Sequence, residues 1–208
     1  MIGLIDYGIG NLLSVAKAVE TAGGEVELFG NPEEVSKYDG LILPGVGNFG
    51  DGMAQLRQSG FDEILRQWAE ENKPLLGICL GMQLMLQSSE EAPGVSGLGI
   101  IPGEVVRFPD CDEKVPQIGW NQVMIARQHP LWRNIVSGNW FYFVHSYYVN
   151  VSDPEWCIGT TNYILDYCSV VGKGNVMATQ FHPEKSQQTG LRLLGNFIEL
   201  VKNTNHRK

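Results

Sequence analysis

The feature that most constrains the fold is a short segment in which an apolar strand runs into a helix through a cysteine between two glycines. The segment reads Leu75-Leu76-Gly77-Ile78-Cys79-Leu80-Gly81-Met82-Gln83. A Gly-x-Cys-x-Gly turn holds a side chain at the tip of a strand-to-helix bend, where bulky neighbours would clash and the backbone is often strained. The thiol faces the start of a helix, whose positive dipole end favours the nucleophilic thiolate. The segment predicts acyl transfer through a thioester at Cys79, and a buried structural cysteine is the alternative when the motif is taken alone.

The first half of the chain alternates between strand and helix signals. Apolar residues at helical spacing predict a helix after Asn11, which we expect to be its N-cap, and a second helix around Phe61, Ile64, Leu65 and Trp68. Apolar runs predict strands at 2–6, 25–29, 40–43 and 74–78. Continuous apolar strands separated by helices indicate a parallel sheet covered on both faces.

The second half of the chain has a different pattern, in which short strands are separated by turn residues. We predict strands at 104–108, 140–144, 157–161, 167–171 and 176–179. This pattern indicates a mixed or antiparallel extension of the sheet. The chain then ends in a helix with one apolar stripe, made of Leu191, Leu194, Ile198 and Val201. We find no linker or internal repeat and expect one domain over 1–208, with a frayed polar tail at 203–208.

A nucleophilic cysteine needs a base, and the base needs a group that orients it. Ala178-Thr179-Gln180-Phe181-His182-Pro183-Glu184 follows another apolar strand. His182 can take the thiol proton, and Glu184 points to the same side if the segment is extended. The sequence therefore predicts a Cys79-His182-Glu184 triad. His145 is a rival base, but it lies in an aromatic strand and lacks a carboxylate two residues away.

Composition limits the classes of function. At 208 residues and 43% hydrophobic content, the chain suits one α/β domain. A formal net charge of −8 argues against a nucleic-acid partner, which requires a basic surface. No apolar run approaches the roughly 18 residues that cross a bilayer, and no basic leader precedes the first strand. We therefore expect a cytoplasmic protein without membrane association.

Two further patterns, the four cysteines and a glycine-rich turn, could indicate a metal site or a cofactor site, and neither pattern is complete. Cys79, Cys111, Cys157 and Cys168 contain no Cys-x-x-Cys pair and no zinc-ligand spacing with histidine, so we expect no metal and regard three of them as fillers or surface thiols. Gly8-Ile9-Gly10 imitates a dinucleotide fingerprint, but its third glycine is replaced by Leu13. We therefore read it as a tight turn and expect no cofactor.

The motifs together resemble the triad-type, class I glutamine amidotransferases. The two segments that carry this resemblance are Gly77-Ile78-Cys79-Leu80-Gly81-Met82-Gln83 and Phe181-His182-Pro183-Glu184-Lys185-Ser186. Further segments are similar to one subfamily, the glutaminase subunits of imidazole glycerol phosphate synthase. They are Asp6-Tyr7-Gly8-Ile9-Gly10-Asn11-Leu12, Pro44-Gly45-Val46-Gly47, Val115-Pro116-Gln117-Ile118-Gly119-Trp120-Asn121 and Phe143-Val144-His145-Ser146-Tyr147-Tyr148. The resemblance covers nearly the whole chain.

The resemblance implies a flavodoxin-like three-layer α/β sandwich and a specific set of site residues. Leu80 N–H, directly after the nucleophile, and Val46 N–H would stabilise the oxyanion, the latter after a peptide flip in its glycine-rich loop. The α-groups of glutamine would be held by Gly47, Gln83 and the backbone of His145, Ser146 and Tyr147.

The resemblance also implies a partner. Free ammonia would be protonated and lost in water, so a synthase needs it delivered to a second active site. In the subfamily this is a (β/α)8 barrel cyclase that forms a heterodimer with the glutaminase and makes imidazole glycerol phosphate for histidine synthesis. The residues matching its docking face are Asn11, Trp120, Asn121, Tyr142 and Lys185.

Three other functions remain as alternatives. The chain could feed ammonia to a related barrel in another pathway, such as the amidation of a surface sugar, with the same glutamine site. It could be a cysteine hydrolase of the peptidase or γ-glutamyl type, although Gln83 and the docking residues argue against this. It could also be a non-enzymatic module, which an intact triad disfavours.

Overall fold

A computed structural model describes residues 1–205 of the chain. Its strands are β1 (Ile2–Ile5), β2 (Val26–Phe29), β3 (Gly40–Leu43), β4 (Leu75–Ile78), β5 (Ser88–Ser89), β6 (Gly103–Arg107), β7 (Gln117–Ile125), β8 (Asn139–His145), β9 (Tyr147–Val151), β10 (Cys157–Tyr163), β11 (Leu165–Lys173) and β12 (Val176–Thr179). Its α-helices are α1 (Leu12–Thr21), α2 (Phe49–Ser59), α3 (Phe61–Glu70), α4 (Leu80–Leu84) and α5 (Gln187–Asn205). Short 3-10 turns lie at Pro32–Lys37, Pro130–Trp132, Pro154–Trp156 and Pro183–Lys185.

One mixed sheet forms the centre of the molecule, with neighbouring strands in the order β2-β1-β3-β4-β12-β11-β10-β7-β8. The strands from β2 to β12 pair in parallel, and those from β12 to β8 pair antiparallel. β9 pairs with β11 and connects it to β6 and β5. The predicted parallel half and its antiparallel extension are both confirmed.

Helices cover both faces of the parallel half, which gives the expected three layers. Ile42 packs with residues of α1 and α5 in one apolar core, while Leu41 and Leu43 pack with residues of α2 and α3 in the other. Successive side chains of a strand point to opposite faces of the sheet, so a strand covered on both sides is apolar throughout. All four residues of β3 and of β4 are accordingly buried.

Several elements differ from the sequence expectation. The predicted strands and helices are present, with bounds that differ by a few residues, but α2, β5, β7 and β9 were missed. Asn11 precedes α1 as expected, yet its side chain makes no capping hydrogen bond. Residues 203–205 of the predicted frayed tail belong to α5, and the rest of that tail, 206–208, including His206, lies outside the described residues.

None of the helices within 1–205 combines the length and the apolar character that crossing a membrane requires. All four cysteines of the sequence are free thiols, and Cys79 and Cys168 are buried.

Candidate active site

The strand-to-helix turn at Cys79 has the strained backbone that its sequence predicts. Cys79 has φ 54° and ψ −110°, which places a non-glycine residue in the left-handed half of the backbone map. Gly81 lies so close to the end of β3 that a Cβ atom there would be 2.0 Å from the carbonyl oxygen of Leu43. The glycine therefore permits the close packing of α4 on β3, and the bend holds Cys79 at the carboxyl end of β4.

Parallel pairing of β4 with β12 explains how residues about a hundred positions apart meet. Ile78 is in register with Thr179, and Cys79 N–H donates to Thr179 O at 2.8 Å. The chain leaves both strands at the same edge of the sheet, where α/β proteins place their sites. His182 follows β12 by three residues and lines the same pocket as Cys79.

Two members of the predicted triad, His182 and Glu184, contact each other, and His182 lines the same pocket as Cys79. His182 Nδ1–H donates to Glu184 Oε1 at 2.8 Å, and both side chains are almost fully buried. Burial alone would lower the pKa of His182, but the interactions of its ring with Cys79 and Glu184 outweigh burial and raise that pKa to about 10. Because Nδ1 is occupied by Glu184, Nε2 is the ring nitrogen that remains available to Cys79. The raised pKa favours the imidazolium form of His182 at neutral pH.

A pair of glutamine side chains connects the pocket to the thiol. Gln83 Nε2 donates to Tyr147 O and to Gln180 Oε1, each at 3.1 Å. Gln180 Nε2 in turn lies 3.9 Å from Cys79 Sγ, and Gln180 is fully buried. Gln83 was predicted to hold the α-groups of glutamine, whereas Gln180 was missed. The register that brings Gln180 beside Cys79 is set by strand pairing and is not visible in the local sequence.

A pocket of about 310 Å³ opens over Cys79 and collects most of the predicted site residues. Its lining consists of Val46, Gly47, Cys79, Leu80, Gln83, Glu91, Pro116, Val144, His145, Ser146, Tyr147, His182 and Lys185. Glu91, which the sequence reading missed, brings a carboxylate to the pocket and accepts a hydrogen bond from Phe49 N–H at 2.8 Å. The pocket therefore offers acceptors for an ammonium group close to the thiol.

The loop after β3 lies on the other side of the thiol. Tyr7 is buried, and its hydroxyl donates to Pro44 O at 2.8 Å. Burial, and then the neighbouring Cys79, raise the pKa of Tyr7. Gly47 has φ 105°, a conformation that favours glycine. The N–H of Leu80 is the first of α4 and has no acceptor within that helix. Leu80 and Val46, the two predicted oxyanion donors, both line the pocket.

His145, the alternative candidate for the base, has both ring nitrogens close to other polar groups. Its Nδ1–H donates to Tyr147 O at 2.8 Å, while Nε2 lies 3.0 Å from Gln117 Oε1 and 3.1 Å from the Tyr167 hydroxyl. Burial lowers the pKa of His145 to about 4. A neutral ring with both nitrogens engaged is not free to take a proton from Cys79. The ring fixes the backbone that lines the pocket at 144–147.

Of the five predicted docking residues, Lys185 lines this pocket, and it forms one surface cluster with Trp120 and Tyr142. The Trp120 and Tyr142 rings pack edge to face with centroids 6.0 Å apart, and Lys185 Nζ lies 5.9 Å from the centroid of Tyr142. Asn11 is exposed beside Gly10, whose backbone packs against Pro44. Asn121 is separate, because it alternates with Trp120 along β7 and its Nδ2 donates to Asn162 O at 2.9 Å.

The cluster continues over the outer face of β7 and β8. Ile118 and Trp140 are 63% and 51% exposed, and their strands pair in register at Trp120 and Tyr142. We call this surface the ribbon face and define it as Ile118, Trp120, Trp140, Tyr142 and Lys185. A group of exposed large apolar side chains rimmed by polar residues is typical of a protein interaction site.

Comparison with known proteins agrees with this geometry. The glutamine amidotransferase class-I family matches residues 3–200. The imidazole glycerol phosphate synthase subunit HisH of Moorella thermoacetica is 50% identical over 201 residues, which are 97% of this chain and 95% of that protein. The subunit HisH of Methanosarcina mazei is 49% identical over 199 residues, covering 95% and 97% of the two chains.

Solved structures show the same fold at lower identity. A crystal structure described as a glutamine amidotransferase superposes with a TM-score of 0.77 at 20% identity, covering 97% of this chain and 98% of that one. The structure of PurLQS from Thermotoga maritima superposes with a TM-score of 0.75 at 18% identity, covering 98% of both chains.

Proposed function

This chain belongs to the class-I glutamine amidotransferases and, within them, to the HisH subunits of imidazole glycerol phosphate synthase, and from this membership we propose that Cys79, His182 and Glu184 hydrolyse glutamine. The observation that carries the proposal is that His182, which is hydrogen-bonded to the Glu184 carboxylate, lines the same pocket as Cys79. The reaction supplies ammonia for the synthase, which acts in histidine biosynthesis.

The chemistry begins with a thiolate and an imidazolium. Cys79 Sγ attacks the carboxamide carbon of glutamine, and the oxyanion receives hydrogen bonds from Leu80 N–H and Val46 N–H. Each such donor is worth about 2.7–4 kcal/mol in the transition state. His182 Nε2–H then protonates the departing nitrogen, the C–N bond breaks, and ammonia leaves a thioester on Cys79.

The second half of the reaction returns the enzyme to its starting state. Neutral His182 takes a proton from water, whose oxygen attacks the thioester carbon. The C–S bond breaks, glutamate leaves, and Cys79 is again a thiolate beside a protonated imidazole. Glu184 keeps Nδ1 protonated throughout, so that Nε2 remains the atom that gives and takes the proton.

Polar groups at the far end of the pocket support recognition of the glutamine α-groups. We assign the α-ammonium to the Glu91 carboxylate and to Gln83 Oε1, because the hydrogen bonds of the Gln83 side chain within residues 1–205 are made by Nε2. The α-carboxylate would meet Gly47 and the backbone of His145, Ser146 and Tyr147. These are pocket residues whose conformation is supported by the buried ring of His145.

As a subunit of a synthase, the chain acts with a partner subunit. We propose that this partner is a (β/α)8 barrel cyclase, that the two form a heterodimer in the cytoplasm, and that the cyclase docks on the ribbon face, with Asn11 and Asn121 at its margin. The position of the ribbon face supports this docking site, since Lys185 belongs to both the ribbon face and the glutamine pocket. Ammonia released at Cys79 would then have a short path into the partner.

An experiment that separates glutamine hydrolysis from synthesis with added ammonium tests this function. In the complex with the cyclase, Cys79→Ala should abolish glutamate release and synthesis from glutamine, while synthesis from added ammonium should be unchanged. Cys111→Ala, the same replacement at an exposed cysteine, should leave both activities intact. Glutamate release by the Cys79→Ala complex at the wild-type rate would disprove the assigned nucleophile. Mixing the chain with barrel cyclases of different pathways identifies the partner that accelerates glutamate release.

A further inference from the structure

Two hydrogen bonds attach the segment from His182 to Ser186, which we call the catalytic turn, to the edge strand β8, and a third bond within the turn closes them into a ring. His182 N–H donates to Tyr142 O at 2.9 Å, and Tyr142 N–H donates to Ser186 Oγ at 3.0 Å. Ser186 Oγ–H then donates to His182 O at 2.6 Å, which closes the ring. Ser186 is 1% exposed. The hydroxyl of Ser186 is thus the one side-chain group in a closed hydrogen-bond ring that contains the backbone of His182.

The strand in this ring also carries the ribbon face. β8 is the last strand on its side of the sheet, and the turn from His182 to Ser186 covers its open edge at Tyr142. The side chain of Tyr142 meanwhile packs against Trp120 and lies under Lys185 on the surface. Tyr142 therefore holds the catalytic turn with its backbone and contributes to the ribbon face with its side chain.

We propose that Ser186 is a positioning residue, which holds the backbone of His182 against β8. A partner bound at Tyr142 then sets the distance between the His182 imidazole and the Cys79 thiol. This rests on the proposed function. A partner that restrains β8 restrains both backbone groups of Tyr142, and through them the two ends of the catalytic turn. Docking of the partner then affects the position of His182 through these hydrogen bonds, which do not involve the loop at Pro44-Gly45-Val46-Gly47.

The role requires a group that accepts one hydrogen bond and donates another. Alanine at this position would leave Tyr142 N–H without its acceptor, and His182 O would keep only Lys185 N–H, at 3.1 Å. A buried N–H that loses its acceptor favours a rearrangement that returns it to water. Within residues 1–205, His182 N–H would then make the remaining hydrogen bond between the turn and β8. We therefore expect the strand and the turn to shift relative to each other.

Kinetics of the Ser186→Ala variant in complex with the cyclase test the proposal. A misplacement of about 1 Å can lower a rate roughly 100-fold, so kcat for glutamate release should fall about 10- to 100-fold. The KM for glutamine should stay within about two-fold, because Gln83 and Glu91 are untouched, and synthesis from added ammonium should be unchanged. The ratio of glutaminase activity with and without the partner should also fall.

Ser169→Ala is the matched control. Ser169 is fully buried, accepts from Thr161 Oγ1 at 2.8 Å and donates to Gly159 O at 3.5 Å, but its hydroxyl contacts no triad residue. It should lose a similar amount of thermal stability and keep its kcat and its response to the partner. Equal kinetics in the two alanine variants would overturn the proposal.

A second variant covers the case in which Ser186→Ala does not fold. Ser186→Cys keeps nearly the same shape but offers only weak hydrogen bonds, so it should fold and show a reduced kcat and a reduced response to the partner. Wild-type kinetics in this variant would likewise overturn the proposal. Failure of the proposed function can be distinguished from failure of this inference. It would appear as glutamate release by the Cys79→Ala complex, which does not depend on Ser186.

Discussion

At the scale of single residues, the site depends on one imidazole whose charge is held by its surroundings. His182 is buried, which disfavours its charged form, yet the neighbouring Cys79 and Glu184 more than compensate. Within the described residues, Glu184 Oε2 is buried without a hydrogen-bond partner. No other donor therefore competes with His182 for the Glu184 charge.

Titration of His182 should reveal this arrangement. We expect nitrogen NMR of the free subunit to show a protonated His182 through neutral pH, with a midpoint near the pKa of about 10. In Cys79→Ala the pKa of His182 should fall, because the interaction with Cys79 is gone and only Glu184 remains to raise that pKa. A wild-type midpoint near the ordinary value of 6.5 would mean that the resting pair is neutral.

The same shift has a consequence for stability. Because the pKa of His182 is raised on folding, its contribution is complete below pH 6.5 and is lost as pH rises through about 10. The free energy of unfolding of the wild type should therefore decrease over this range. Cys79→Ala should show a smaller decrease, which denaturant unfolding at several pH values measures.

Single residues also show which parts of the site a sequence can reveal. Cys79, His182 and Glu184 lie in short motifs whose chemistry is local, so they were predicted. Gln180, Glu91 and Ser186 contribute through contacts with residues far away in the chain, namely Gln83, Phe49 and Tyr142. Their roles depend on strand register and loop packing, and single-sequence motifs do not encode either one.

At the scale of elements, the turn between β4 and α4 keeps its conformation because α4 packs directly on the end of β3. Replacing Gly81 by alanine would place a Cβ atom 2.0 Å from Leu43 O, so backbone must move. We expect a loss of about 1–3 kcal/mol in the free energy of unfolding and a loss of glutaminase activity, because β3 leads into the oxyanion loop.

Gly50→Ala is the control for this substitution. Gly50 lies within α2, where a Cβ atom would meet Ala92 Cβ at 3.4 Å, an ordinary contact. Alanine favours a helix interior over glycine by up to about 1 kcal/mol, so stability should be equal or higher. Chemical denaturation of both variants measures the difference, and equal stabilities would show that the approach of Gly81 to Leu43 is not tight in solution.

The elements that were missed have weak local signals. α2 contains Gly50 and Gly52, which are poor helix formers, and is stabilised instead by the buried side chains of Phe49, Met53 and Leu56. β7 contains Gly119 at φ 133°, which interrupts a strand pattern. β9 follows β8 after only Ser146, so the two strands read as one aromatic segment. Tertiary packing decided these elements. In contrast, β1, β3 and β4 were predicted because each is apolar throughout, and β12 because it is apolar up to Thr179.

At the scale of the whole molecule, the sheet has two halves with different tasks. The parallel half brings Cys79 and His182 to one edge through β4 and β12, and the antiparallel half extends from β12 to the ribbon face on β7 and β8. We propose that the chain forms one domain, since the same sheet continues through both halves. Catalytic and docking groups then belong to one continuous structure, which allows binding of a partner to influence the triad.

Removal of one aromatic side chain from the ribbon face should separate docking from catalysis. Trp120 is 42% exposed and packs against Tyr142, so Trp120→Ala should leave the fold and the glutamine pocket intact. Buried aromatic residues at interfaces often contribute about 2 kcal/mol or more to binding. The Kd for the cyclase should therefore rise by about 30-fold or more, as calorimetry would measure. Leu28→Ala, at an exposed apolar position on β2 at the opposite end of the sheet, should bind like the wild type. Equal affinities for the two variants would place the partner on another face of the molecule.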